Sequence, residues 1–331
     1  MIATDAESAI VFAWAFDGRG GARRLAPDAL AEAMAAREGF VWIHLALADR
    51  RGRDVLAALD LPDDARELLA TGPERSLLDH EGAWIFGQIE DRGRDIDDVS
   101  DEEVHVRFAA SAHIVVTARR RAAQSTYRLR RDLEKGRRVE GPLDLVEAIL
   151  DAVAADLDHR RDNEDDALAR VETQLMADRH ADVSAALGAA RRALAEIARH
   201  NSGVLAPLRR FDQQIARLHG IDTPVHDMTA RLAQRFDEIG RNARADAERA
   251  RLLQDESAAS ANILANRHLF VLTVLNSLLL PATLVTGFFG MNTGGFLWGP
   301  DDPHGTLKAF AVCALAAGSA ALFMRRRGMF G

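Results

Sequence analysis

From His268 to Phe289 the chain reads HLFVLTVLNSLLLPATLVTGFF, and after His268 no ionisable side chain interrupts it. Polar groups recur through this region at a fixed interval. Asn266, Leu269, Thr273, Asn276, Leu280, Thr283 and Gly287 are three or four residues apart, so in a helix they share one face. Asn266, Thr273, Asn276 and Thr283 are its polar members, and Leu, Val and Phe fill the other faces. At membrane depth, polar side chains face protein or water rather than lipid. The face therefore reads as the lining of a water-filled path. For Thr273 and Thr286 a bond to the helix's own backbone or to a neighbouring helix is the favoured alternative. For Asn276, which is costlier at this depth, the path is favoured. Leu269 and Leu280 suit hydrophobic constrictions that gate by dewetting. Pro281 leaves the Ser277 carbonyl without its usual donor, so it bends the helix or marks its gate.

Further candidates lie just beyond. Asp301, Asp302 and His304 follow the apolar run; carboxylates there would concentrate cations, and a carboxylate with an imidazole suits zinc. A solvated turn around Pro300 and Pro303 explains the same residues equally well. The other histidines are scattered without HExxH spacing, so no fixed metal ligands are assigned. His44 and His105 alternate within predicted strands and read as structural. The acidic stretch Asp162–Asp166 reads as a solvated face, with a regulatory metal site as the less favoured alternative. No glycine-rich phosphate loop, nucleophile elbow or metallohydrolase spacing appears. The chain is therefore expected to be no enzyme, to use no cofactor, and to draw on a gradient or the membrane potential rather than ATP.

These residues need a membrane around them. About 20 residues of helix cross a ~30 Å hydrocarbon layer, which residues 268–289 satisfy. A second apolar run spans 306–324 with one charge, Lys308, near its start, where it can snorkel. Arg267 precedes the first run, Arg325, Arg326 and Arg327 follow the second, and the loop 290–305 has no Lys or Arg. The positive-inside rule puts both ends of the pair in the cytoplasm and the loop outside. The start of the chain lacks a signal-peptide pattern, which agrees. A net charge of −8 over 331 residues argues against nucleic acid as a partner. A single cysteine, Cys313, excludes an internal disulfide or a cysteine metal cluster.

The rest of the chain supplies the support. Residues 9–16, 40–45, 84–89, 104–108 and 113–117 read as strands, the last two as a hairpin closed near Ser111. Residues 27–37, 53–59 and 63–69 read as helices, which makes 1–141 a mixed α/β domain. From about Ala122 the β signal ends. Long helices are predicted over 143–177 and 181–201 within 142–222, with a break at Gly203 and Pro207. Pro224 can open a helix that nothing firmly stops before Leu280. It would carry a stalk, 223–267, into the membrane and reach roughly 100 Å. A helix of that length needs partners.

Gly290-Met291-Asn292 sits where the first membrane helix ends. Together with Asn266, Leu272-Thr273, the run Leu280–Phe289, a short loop, a second apolar helix and a basic tail 325–331, it resembles the CorA-type superfamily of divalent metal-ion transporters. Thr293-Gly294-Gly295 is more similar to the ZntB zinc-transporter branch. The close match covers 266–327; the N-terminal similarity is one of architecture. The resemblance implies a homopentamer in the bacterial inner membrane, multi-pass with both termini cytoplasmic. Its first membrane helices line a pore, and its stalks continue as a funnel that Asp246, Glu248, Asp255 and Glu256 would help to line. Gly290, Met291 and Asn292 would form the selectivity motif, Gly290 permitting a tight turn. Asn292 would offer its amide oxygen to a hydrated cation. The cargo it implies is zinc, with protons as a coupled ion; magnesium, cobalt and nickel are the alternatives. A membrane-anchored sensor or scaffold is the reading from another class.

Overall fold

The computed structural model describes residues 9–36, 38–94, 99–179, 181–217, 223–290 and 304–326. Seven strands, β1 (Ile10–Phe16), β2 (Ala22–Leu25), β3 (Phe40–Ala46), β4 (Leu77–Glu81), β5 (Trp84–Arg94), β6 (Val99–Ala110) and β7 (Ile114–Arg119), form one sheet in the order β2-β1-β3-β7-β6-β5-β4. Only the β3–β7 pair is parallel. Short helices α1 (Leu30–Ala36), α2 (Arg50–Ala58) and α3 (Asp63–Thr71) cover one face. The other carries α4 (Gln124–Glu134), α5 (Pro142–Ala177), α6 (Ser184–Arg217) and the first part of α7 (Thr223–Gly290). A short apolar helix, α8 (Gly305–Arg326), follows. The chain resolves into two compact units, one holding residues 1–173 and 183–253, the other 174–182 and 254–331.

Layering follows from strand alternation. Along β1 and β3, Phe12, Trp14, Phe40 and Trp42 enter the core beneath the long helices, whereas Ala13, Val41 and Ile43 enter the core beneath the short ones. β3 is buried along nearly its whole length because both its faces are covered. The predicted hairpin is present, closed by Ser111 N–H donating to the Ile114 carbonyl at 2.9 Å. β2 and β4 were not predicted: Ala22–Leu25 carries two arginines and Leu77–Glu81 ends Asp-His-Glu, so neither edge strand alternates clearly.

Buried polar groups organise the strand ends. Arg107 on β6 donates to the Leu69, Ala70 and Gly72 carbonyls at 3.1, 3.2 and 3.2 Å, closing the C-terminus of α3. Asp91 on β5 accepts from the Ser125 N–H at 2.8 Å and caps α4 from a distant strand, since Ala123 at the N-cap has no side chain to do so. Burial raises the Asp91 pKa, and the hydrogen bonds from Ser125 and Arg92 offset part of that rise.

The break expected at Gly203 and Pro207 is absent. α6 runs through both. Pro207 removes one donor and strains the helix by about 3 kcal/mol. Val204, Leu205, Leu208 and Phe211 are buried around it in the large core, and that packing outweighs the local preference. α6 also starts at Ser184, later than the predicted 181.

α5 and α7 are joined by a ladder of ion pairs. Glu147 takes Arg231, Asp151 takes Arg235 and Asp165 takes Arg249 at 2.7–2.9 Å, each pair 84 residues apart in sequence. A constant offset means that the two helices run parallel and side by side. Arg249 also forks onto Glu172 at 2.7 and 2.6 Å, and Arg161 reaches Asp246 at 3.1 Å. The acidic character of α5 is thus spent partly on α7, and the solvated face expected at Asp162–Asp166 is only part of what those residues do.

Candidate functional site

The site is built on the last third of α7. That helix contains a stretch long and apolar enough to cross a membrane, and α8 holds a shorter apolar run, Phe310–Phe323. α7 continues through Pro281 to Gly290 without interruption. At 100° per residue, Asn266, Leu269, Thr273, Asn276, Leu280, Thr283 and Gly287 lie within an arc of about 100°. All seven are exposed in the isolated chain.

A different face is half-buried: Val274, Ser277, Pro281, Ala282 and Val285. Here the Cys313 thiol of α8 approaches the Ala282 carbonyl at 3.9 Å. In the body of α8 the half-buried Cys313, Ala316, Ala317, Ala320 and Ala321 form a stripe of small side chains, the kind that lets membrane helices approach closely. The half-buried face of α7 is centred about a third of a turn from the polar one, so the polar face remains open.

The threonines and asparagines on the open face differ. The Thr273 hydroxyl donates to the Leu269 carbonyl at 2.7 Å and that of Thr283 to Leu279 at 2.9 Å; Thr286 donates to the Thr283 carbonyl at 3.1 Å. These hydroxyls are satisfied within the helix. Asn266 and Asn276 have no side-chain partner among the described residues, so their amides are the groups left to meet something outside the helix.

Gly290 is the last residue of α7. Met291, Asn292, Asp301, Asp302 and most of the loop lie outside the described residues. His304 stands at the start of α8, its carbonyl accepting from Lys308 N–H at 3.0 Å. No group of three or more His, Cys, Asp or Glu able to hold a metal occurs among the described residues. His44 is a core residue: its Nδ1 lies 2.7 Å from Thr117 Oγ1, its ring stacks on Phe12, and burial pushes its pKa down to about 3. His105 is also held below its ordinary value, first by burial and then by Arg107. Of the acidic stalk residues, Asp246 is held by Arg161 and Glu248 by Arg251. The α5–α7 ladder had a sequence signal: the 84-residue repeat of acid and arginine.

Comparison with known proteins bears on the whole chain. The profile of the family described as "CorA-like Mg2+ transporter protein" matches residues 37–326. The zinc transport protein ZntB of Enterobacter sp. is 26% identical over 86% of this chain and 85% of its own length. The divalent cation transporter CmaX of Pseudomonas aeruginosa is 28% identical over 96% of this chain and 94% of its own. The full-length CmaX structure superposes with a TM-score of 0.75 at 24% identity, covering 96% of this chain and 97% of that one. The CorA magnesium transporter of Methanocaldococcus jannaschii gives 0.70 at 15% identity over 95% and 97%.

Proposed function

This chain belongs to the CorA-like family of divalent-cation transporters, and from that premise we propose that it carries zinc across the bacterial inner membrane along the polar face of α7. The observation that carries this reading is the open arc from Asn266 to Gly287, whose two asparagine amides have no side-chain partner among the described residues and which is followed in sequence by Gly290-Met291-Asn292. Five copies of α7 would enclose the arc. Leu269 and Leu280, 59% and 69% exposed in the single chain, would then become its dewetting constrictions. Five Asn292 amides at the outer mouth would hydrogen-bond the waters of a hydrated ion, and Asp301, Asp302 and His304 would raise its local concentration. With residues 268–289 and 306–324 spanning the bilayer and the arginines inside, a potential of 100 mV contributes ~2.3 kcal/mol per charge, hence ~4.6 for a divalent ion. An inward proton gradient is the second driving force in this reading.

Zinc is favoured by Thr293-Gly294-Gly295 and by the resemblance to ZntB. Magnesium is the second reading, favoured by the family description. The deciding experiment is metal uptake into proteoliposomes, zinc against magnesium, with and without a pH gradient, with Asn292→Ala as control. Zinc uptake that rises with inward proton gradient and fails in the variant is expected. Magnesium uptake driven by potential alone would favour the second reading, and unchanged flux in the variant would remove Asn292 from its role.

A further inference from the structure

A side chain of α6 closes the outer edge of β5. β4 pairs with β5 only as far as Gln88, so at Glu90 that edge has no strand beside it. The Glu90 N–H donates instead to Ser76 Oγ at 3.1 Å, and the Glu90 carbonyl meets His200 Nε2 at 3.0 Å. His200 is 6% exposed and satisfies the backbone where a strand is missing. A carbonyl only accepts, so Nε2 carries a hydrogen. The other ring nitrogen, Nδ1, lies 3.9 Å from the Glu90 carboxyl. One imidazole thus addresses both the main chain and the side chain of Glu90.

Ionisable groups surround this contact. Glu90 stands opposite His105 of β6, and Glu103 follows on the same face two residues away. Arg199, beside His200 on α6, holds Glu103 at 3.1 Å. Gly203 brings α6 close, since a Cβ there would stand 3.4 Å from Glu90 Oε2. Burial raises the Glu90 pKa; His200 opposes that rise, Glu103 adds to it and Arg199 opposes it. His105 is held below its ordinary value by burial and then by Arg107, with Glu74, Glu103 and His200 also acting on it. Protonation of an imidazole near neutral pH gives it a second N–H. At His200 that N–H would form on Nδ1, facing the carboxyl.

We propose that His200 is a proton-operated latch between α6 and the sheet: charged, it holds Glu90 by a hydrogen bond from Nε2 to the carbonyl and an ion pair from Nδ1 to the carboxylate, and neutral, it keeps the first bond alone. The ion pair also needs Glu90 ionised, and burial moves that requirement to higher pH. The latch is therefore strongest between the two titrations. It is lost on the acid side as Glu90 takes up its proton and on the alkaline side as His200 gives up its own. It needs no ion flux, so it stands or falls separately from the transport reading.

The test is amide hydrogen exchange, read by mass spectrometry on the full-length protein in detergent and corrected for the intrinsic pH dependence of exchange. Protection of the segments around Glu90 on β5 and His200 on α6 should fall by about fivefold between about pH 6 and about pH 8, while α2 on the other face of the sheet should not change. His200→Gln keeps an amide donor for the carbonyl but does not titrate, and Glu90→Gln keeps the Nε2 bond but removes the carboxylate. Each should flatten the profile at the level the natural protein shows at the alkaline end. A natural protein with no pH dependence in these segments would overturn the proposal. So would an undiminished fall in either variant, or an equal fall in α2, which would mark a global change.

Discussion

Thr273 and Asn276 stand on the same face of one helix and are used differently. The threonine hydroxyl is short enough to bond the carbonyl four residues back, whereas the asparagine amide is left facing outward. Thr273→Val should therefore change metal uptake in proteoliposomes by less than about twofold, while Asn276→Leu should lower it by about tenfold or more without preventing purification of the protein. Equal losses in the two variants would refute this division of roles. His44 carries a prediction of another kind. Its folded pKa, about 3, lies below the ordinary value of about 6.5. A depressed imidazole contributes stability that is complete above the unfolded pKa and lost as pH falls toward the folded one. Thermal melts in detergent should show stability falling by several kcal/mol between pH 6.5 and 3.5 from this group. His44→Leu should flatten that part of the profile, and the Thr117 hydroxyl keeps Trp42 Nε1 as donor and the Ile43 carbonyl as acceptor. The spacing of the polar face was legible because it follows from helical period alone. The depressed pKa was not, because it depends first on burial in the packed sheet and then on Arg119, 75 residues away in sequence.

Among the elements, what sequence reveals depends on whether the deciding contact is local. β1 and β3, as continuous apolar runs, and the β6–β7 hairpin can be read directly, and so can the start of α7 beside Pro224. α6 is the opposite case: Gly203 and Pro207 argue locally for a break that the core around Phe211 overrides. The ladder between α5 and α7 lies between these cases, since its acids and arginines are visible but their pairing is not until the offset is known. Arg249 sits at the end of that ladder with two carboxylates. Arg249→Ala should destabilise the protein by only about 1 kcal/mol, because the groups are partly exposed and screened, and the loss should shrink in high salt. The hydrogen bond from Arg249 holds the Glu172 pKa below its ordinary value. The stability this pair contributes is therefore present at neutral pH and lost as pH falls through the folded value. Arg107 is less forgiving: Arg107→Met leaves the Leu69 and Gly72 carbonyls at the end of α3 without this donor, Ala70 keeping Arg120, and should cost about 2–4 kcal/mol in a melt.

At the scale of the molecule, the second compact unit bears on the proposed assembly. Leu284 is 71% exposed and Leu280 69%, on a helix whose polar arc is exposed as well. A polar arc facing lipid is unfavourable, and copies of α7 turned toward one another remove the problem. Light scattering with mass analysis in mild detergent should give a particle of five protomers; a monomer or dimer would contradict the enclosed path. Within the second unit α7 is unbroken from Gln254 to Gly290. Each residue inserted between Asn266 and Asn276 would turn everything beyond it by about 100°, and seven would restore the heading to within about 20°. Whether the two amides share a face is in that sense a matter of counting. The chain length between them is under as much constraint as the amides themselves.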